Sequence, residues 1–249
     1  MSNEQMQLSV VIPMYNEAGR IGPSLERIVE YLRGRSGAGG FEIIVVDDGS
    51  RDGTVAVVEQ FRTCAPELRL IRFSQNRGKG AAVRAGMIAA TGEAVLFSDA
   101  DLSTPIEEVE GALRHLSEGC DLVIGSRALA GSQIVARQSC LRESMGKLFN
   151  RLLRVSLSIP FRDTQCGFKL FRGDAARDLF RRAQIDGFAF DVEVILLAMR
   201  LGYAVHEIPV RWINDPNSKV RLLRHSTQML GDLWRIRRGL AAQPLRRAG

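Results

Sequence analysis

Two aspartates one residue apart, Asp99 and Asp101, end the apolar run Val95, Leu96, Phe97 and are followed by Ser103, Thr104 and Pro105. Residues i and i+2 of a strand face the same side. At the end of a buried strand the pair would therefore aim two carboxylates in one direction. A hard divalent cation, Mg²⁺ or Mn²⁺, requires such an arrangement and leaves its other positions to water and substrate phosphates. The bland alternative is that both aspartates cap a helix beginning near Pro105. Three more polar clusters decide between these readings, because each also closes an apolar run. They are Tyr15, Asn16 and Glu17; Asp47, Asp48, Gly49 and Ser50; and Asn76, Arg77, Gly78, Lys79 and Gly80.

The elements that carry these clusters alternate. Leu8 to Met14 reads as a buried strand, and a helix opening at Asn16 or Glu17 runs to Arg33 with apolar positions at helical spacing. Strands follow at Phe41–Val46, Leu68–Phe73 and Val95–Phe97, separated by helices over Val55–Thr63 and from Gly80 to Ala90. Such alternation predicts an α/β fold, a mostly parallel sheet with helices on both faces. Ligands of these sheets bind outside the carboxyl ends of the strands. Four clusters converging on that edge are poorly explained as four separate caps.

The second half changes character. A short strand, Leu122–Ile124, ends in Gly125, Ser126 and Arg127, and a basic helix is expected from Val135 to Leu157. Asp163, Thr164, Gln165, Cys166 and Gly167 lead into a strand at Phe168–Phe171, and a helix spans Gly173–Arg182. Asp191 and Glu193 lie at the start of a helix reaching Leu201, and Val205–Trp212 alternates like one strand. The organisation expected is one domain over 1–220 and a basic amphipathic C-terminal helix and tail over 221–249.

With 34 Lys and Arg against 28 Asp and Glu, the net charge is +6, and the excess gathers after Arg211. A basic segment of this kind suits an anionic lipid surface, nucleic acid or an acidic substrate. No aromatic platform interleaves the arginines, which argues against nucleic acid. The four cysteines have no C-x-x-C spacing, consistent with reduced thiols in a cytoplasmic protein. No apolar run approaches the ~20 residues that span a bilayer, so any membrane contact is expected to be peripheral.

The ordered clusters resemble the nucleotide-sugar half of family 2 glycosyltransferases with the GT-A fold. The similarity continues through Gly125–Arg127, the D-T-Q-C-G-F-K block over 163–169, and Asn217, Ser218 and Lys219. The later blocks are most similar to the dolichyl-phosphate β-glucosyltransferases and related polyprenyl-phosphate glycosyltransferases. The Q-x-x-R-W motif of processive synthases is absent, which disfavours a chain-building enzyme. The resemblance implies a GT-A fold with a C-terminal helical elaboration, and transfer of glucose from UDP-glucose to a polyprenyl phosphate with inversion. Mannose from GDP-mannose, a sugar hydroxyl as acceptor, and a non-catalytic nucleotide-sugar-binding module are the alternatives.

It also implies roles. Pro13, Tyr15 and Glu17 would line base and ribose, with Asp47 or Asp48 accepting from the base, and Gly78 and Lys79 approaching base or phosphates. Asp99 and Asp101, with Ser103, would hold Mg²⁺ or Mn²⁺ on the diphosphate, and Arg127 would assist near the phosphates. Asp163 and Gln165 would contact sugar hydroxyls or orient the acceptor, although Asp163 would equally cap its own turn. Glu193 is assigned a sugar-contacting or supporting role, and Lys219 a place in a loop closing over the donor. A polyprenyl phosphate is already an anion and needs no strong base, which suits a chain whose His115, His206 and His225 match no motif. It does need cations, and Arg137, Arg142 and Lys169 are the candidates.

Overall fold

The structure, a computed structural model, describes residues 7–35, 40–135, 157–213, 231–232 and 235–238. The expected helix over Val135–Leu157 apart from its two end residues, the loop at Lys219 and nearly all of the C-terminal helix lie outside the described residues. Arg137 and Arg142 do so as well.

A seven-stranded sheet organises the described chain. In chain order its strands are β1 (Leu8–Met14), β2 (Phe41–Asp47), β3 (Leu68–Arg72), β4 (Ala94–Ser98), β5 (Leu122–Ser126), β7 (Phe168–Arg172) and β8 (Val205–Pro209). Their order across the sheet is β3-β2-β1-β4-β7-β5-β8. A two-stranded ribbon pairs β6 (Gln133–Ile134) with β9 (Arg211–Trp212). The helices are α1 (Ile21–Gly34), α2 (Thr54–Arg62), α3 (Lys79–Ala89), α4 (Val109–Ser117), α5 (Gly173–Arg182) and α6 (Phe190–Arg200).

The central strands are buried along their length because both faces are covered. Alternate residues face opposite ways. Val11, Val46 and Phe97 pack with Ala82, Val83 and Met87 of α3 and with Leu179 and Ile195 of α5 and α6. Val10, Ile12, Val45 and Leu96 pack on the other face with Leu25 and Ile28 of α1 and Val109 of α4. α3 approaches so closely that a Cβ on Gly86 would lie 2.4 Å from Val11 Cγ1.

Two topological facts place the chemistry. The strand order turns back between β1 and β4, whose parallel ends release Tyr15 and Asp99 side by side. Next to β4 sits β7, the one antiparallel member, with Phe97 opposite Lys169 and Ser98 opposite Phe168. The ladder runs one rung further, from Asp99 N to Gly167 O at 3.1 Å.

Two boundaries differ from the expectation. α1 begins at Ile21 rather than at residue 16 or 17, because Asn16 is left-handed (φ 56°). The amides of Asn16 and Glu17 instead donate to Ser50 Oγ (2.9 Å) and Thr54 Oγ1 (2.7 Å), tying the first loop to the second. The single strand expected over Val205–Trp212 breaks at Val210, with β8 on β5 and β9 on β6.

Candidate active site

At the turn-back point the loops after β1, β2, β3 and β4 enclose an open cavity of about 630 Å³. Its lining includes Pro13, Tyr15, Glu17, Asp48, Gly78, Lys79, Asp99 and Asp101, all foreseen from sequence. Asn76, expected only as a member of its polar cluster, joins them, as do Phe188 and Arg20, which were not foreseen. Glu17 is held from within its own turn, because the Arg20 guanidinium donates to both carboxylate oxygens, at 2.6 and 2.7 Å. Tyr15 is 40% exposed, leaving its ring free as a flat apolar wall.

The two aspartates of the second loop are placed differently. Asp47 turns into its own loop, where its carboxylate accepts from Ser50 N at 3.2 Å, and it is absent from the cavity lining. Asp48 reaches the cavity and gathers the third loop around itself. Its oxygens accept from Arg77 N (2.7 Å), Gly78 N (2.9 Å) and Asn76 Nδ2 (2.8 Å). Burial pushes the Asp48 carboxyl above its ordinary range, although these amides oppose the shift. Gly78 has φ 108°, and a Cβ there would meet Asp186 O at 2.4 Å, so only glycine lets the 185–188 loop close on the start of α3.

Asp99 is fixed from two sides. Its Oδ1 pairs with Lys79 Nζ at 2.7 Å, and its carboxylate lies flat against Gly167. A Cβ at Gly167 would sit 1.9 Å from Asp99 Oδ2. Lys79 leaves helix α3 over the rings of Phe97 and Phe188, 5.4 and 5.8 Å from their centroids. Burial would lower its pKa, but the carboxylates of Asp99 and Asp191 prevail and raise it, so the ammonium stays charged.

Asp101 is different. Its Oδ1 accepts from Ser103 N at 3.0 Å, and no cation of the described residues reaches ion-pair distance. Burial and the charge of Asp99 push its carboxyl up. Two acids here share one lysine, leaving a negative charge that a divalent cation would neutralise. No group of three His, Cys, Asp or Glu among the described residues could hold a metal unaided. The donor set therefore fits a cation whose coordination is completed by a phosphate-bearing ligand.

Beyond the cavity, several of the expected residues are engaged with protein partners. Asp163 is 2% exposed, and its two oxygens take Arg127 Nε at 2.7 Å and Nη2 at 3.0 Å, a bidentate pair. Burial would raise the Asp163 carboxyl, but Arg127 holds it below the usual range. While that pair stands, both Asp163 oxygens are taken, and the Nε and Nη2 edge of Arg127 is turned to the pair. Asp163 does cap its own turn, accepting from Gln165 N at 3.2 Å, and Gln165 does not line the cavity. Lys169 is 1% exposed; its ammonium donates to Asp191 Oδ1 (2.6 Å) and Cys166 O (2.7 Å) and has no open face toward an acceptor phosphate. Glu193 accepts from Gln184 N (2.9 Å) and Ile185 N (2.8 Å), holding a loop rather than facing the cavity. Ser103 stands behind Asp101 rather than among the lining residues.

Comparison with known proteins agrees with this geometry. Residues 9–180 match the family model described as glycosyl transferase family 2. A dolichyl-phosphate beta-glucosyltransferase of Saccharomyces cerevisiae is 38% identical, covering 94% of this chain and 75% of its own. The human dolichyl-phosphate beta-glucosyltransferase is 36% identical, covering 93% and 75%. Among solved structures, the mannosyltransferase PcManGT of Pyrobaculum calidifontis, in complex with GDP-Man and Mn²⁺, superposes with a TM-score of 0.64 at 25% identity. That match covers 94% of this chain but only 65% of the mannosyltransferase. The Mycobacterium tuberculosis glucosyl-3-phosphoglycerate synthase, in complex with Mn²⁺ and UDP-Glc, gives a TM-score of 0.66 at 22% identity, over 93% and 79% of the two chains. The shared architecture is the GT-A fold of glycosyltransferases.

Proposed function

The chain belongs to glycosyl transferase family 2, and on that premise we propose that it transfers glucose from UDP-glucose to a polyprenyl phosphate, with inversion, at the cytoplasmic face of a membrane. The observation that carries this reading is the placement of Asp99, Asp101 and Lys79 together in a cavity of about 630 Å³. The identity of sugar and acceptor is supported by relatives 36–38% identical across nearly the whole chain that are named for glucosyl transfer to dolichyl phosphate.

The residues divide the work as follows. Tyr15 and Pro13 offer an apolar wall to the base and ribose, and Asp48 holds the third loop in the shape that admits them. Asp99 and Asp101 hold the divalent cation, Mg²⁺ or Mn²⁺. When bound, that cation neutralises charge developing on the departing UDP. Lys79, already charged and aimed by Asp99, brings a second positive charge to the diphosphate. The lipid phosphate arrives as an anion, so attack on the anomeric carbon asks the protein for position rather than for a general base. Attack opposite the departing UDP turns an α-linked donor into a β-linked lipid phosphosugar. Arg137, Arg142 and Lys219 remain the proposed cations for the acceptor and the donor loop. The basic segment over 221–249 is proposed to rest on the anionic lipid surface. No helix among the described residues is long and apolar enough to cross a membrane.

The test is lipid-phase labelling with purified protein, Mg²⁺ or Mn²⁺, a short polyprenyl phosphate and either labelled UDP-glucose or labelled GDP-mannose. Label from UDP-glucose that disappears in Asp101→Ala supports the proposal. Label from GDP-mannose alone overturns the sugar. Label that partitions only into water-soluble glycosides overturns the acceptor.

A further inference from the structure

The α6 helix opens with two buried acids, Asp191 (4% exposed) and Glu193 (7% exposed), that the transfer chemistry does not use. Burying two carboxylates is costly unless each is paired or hydrogen-bonded. Each one is satisfied, and the partners lead in two directions toward the same place.

Asp191 holds Lys169 Nζ at 2.6 Å, and that ammonium also donates to Cys166 O at 2.7 Å. The neighbouring peptide is the one that supports Asp99, because Gly167 O accepts Asp99 N at 3.1 Å and the Gly167 Cα lies under the Asp99 carboxylate. Glu193 holds the amides of Gln184 and Ile185. The next carbonyl, Asp186 O, accepts Ala81 N at 3.2 Å in the first turn of α3, two residues after Lys79. Phe188, from the same loop, lies on the Lys79 ammonium and on the cavity.

We infer that Asp191 and Glu193 are positioning residues for the reaction: the first turn of α6 sets Asp99 through Lys169 and Gly167, and sets Lys79 through the 184–188 loop. The inference rests on the proposed glycosyl transfer only for its activity readout; its structural content is the placement of the metal-binding carboxylate and its lysine. It also gives the buried Lys169 a task in place of the acceptor-binding one.

The two arms make different predictions. Lys169→Met with Asp191→Asn removes both charges of the buried pair together, avoiding the uncompensated charge that a single change would leave. The double variant is expected to weaken Mn²⁺ binding in the presence of UDP at least tenfold by calorimetry, to leave metal-free UDP affinity within threefold, and to regain transfer as Mn²⁺ is raised. Glu193→Gln replaces one accepting oxygen with an amide that cannot accept, so it loosens the other arm. It is expected to lower metal-free UDP affinity about fivefold with Mn²⁺ affinity within threefold of wild type. A purely structural role would lower the melting temperature and leave both affinities of the folded protein unchanged, and that result overturns the inference. Failure of the wild-type protein to transfer sugar would instead overturn the functional proposal, while the affinities would still decide the role of α6.

Discussion

Replacing Gly167 with alanine separates the geometry of the site from the stability of the fold. The new Cβ would lie 1.9 Å from Asp99 Oδ2 and 2.3 Å from its Cγ, where ordinary contact begins near 3.4 Å. Gly167 is outside the left-handed region, so alanine strains no backbone there. The atoms that must give way are the tip of a side chain, and they must retreat by roughly 1.5 Å to reach normal contact. That movement costs little stability, on the order of 1 kcal/mol, but it takes the carboxylate away from Lys79, now at 2.7 Å, and from its partnership with Asp101. A misplacement of about 1 Å can cost on the order of 100-fold in rate. Gly167→Ala is therefore expected to lower transfer about 100-fold, to weaken Mn²⁺ binding, and to melt within a few degrees of wild type. Initial rates of lipid labelling, calorimetry with Mn²⁺ and UDP, and thermal unfolding on one preparation provide the three numbers. Activity within threefold of wild type would refute the reasoning, because Asp99 would then not need the place that Gly167 leaves for it.

Other expectations follow from the same contacts. Asp163→Asn leaves the Arg127 guanidinium, 32% exposed, without its carboxylate and should cost about 3 kcal/mol at neutral pH by chemical denaturation. Because the folded Asp163 carboxyl is held below its unfolded value of about 3.9, its contribution is present above that value and lost as pH falls through the folded one. The stability gap between wild type and variant should therefore narrow below about pH 4. For Asp101 the sign is opposite: its carboxyl is pushed up, so protons should begin to displace Mn²⁺ at a higher pH than an ordinary aspartate near 3.9 would allow. Calorimetry across pH 4 to 7, about the range in question, checks this, and an Asp99→Asn background should move the onset downward. Gly80→Ala places a Cβ 2.4 Å from Ile185 O, a backbone atom that cannot swing aside, so a loss of about 1–3 kcal/mol in thermal stability is expected.

Much of this was legible in the sequence because it was local. Apolar runs ending in polar clusters gave the four strands, and strand periodicity placed Asp99 and Asp101 together at one edge. What escaped was set by non-local pairing. Nothing adjacent to Asp47 and Asp48 distinguishes them; the choice falls to Asn76, Arg77 and Gly78, some thirty residues on, which gather around the second. Lys169 looked like a ligand-binding group, and Glu193 like a sugar-contacting or supporting one, because a charge in an apolar stretch lacks an evident partner. The partner of Lys169 lies 22 residues away, on a helix that packs against the sheet. Gly167 had a signal, a glycine within the D-T-Q-C-G-F-K block, but its use depends on β7 entering the sheet antiparallel beside β4. Phe188 and Arg20 lie in the turns just before α6 and α1, and only the closing of the loops makes them cavity wall.

The most direct measurement is the structure of the product itself, by phosphorus and proton NMR after incubation with UDP-glucose and a short polyprenyl phosphate. The lipid phosphate is expected to change from a monoester to a diester, with glucose attached through its anomeric carbon in the β configuration. An α-linked product would contradict inversion, and an unchanged lipid phosphate with glucose on a hydroxyl acceptor would contradict the account as a whole.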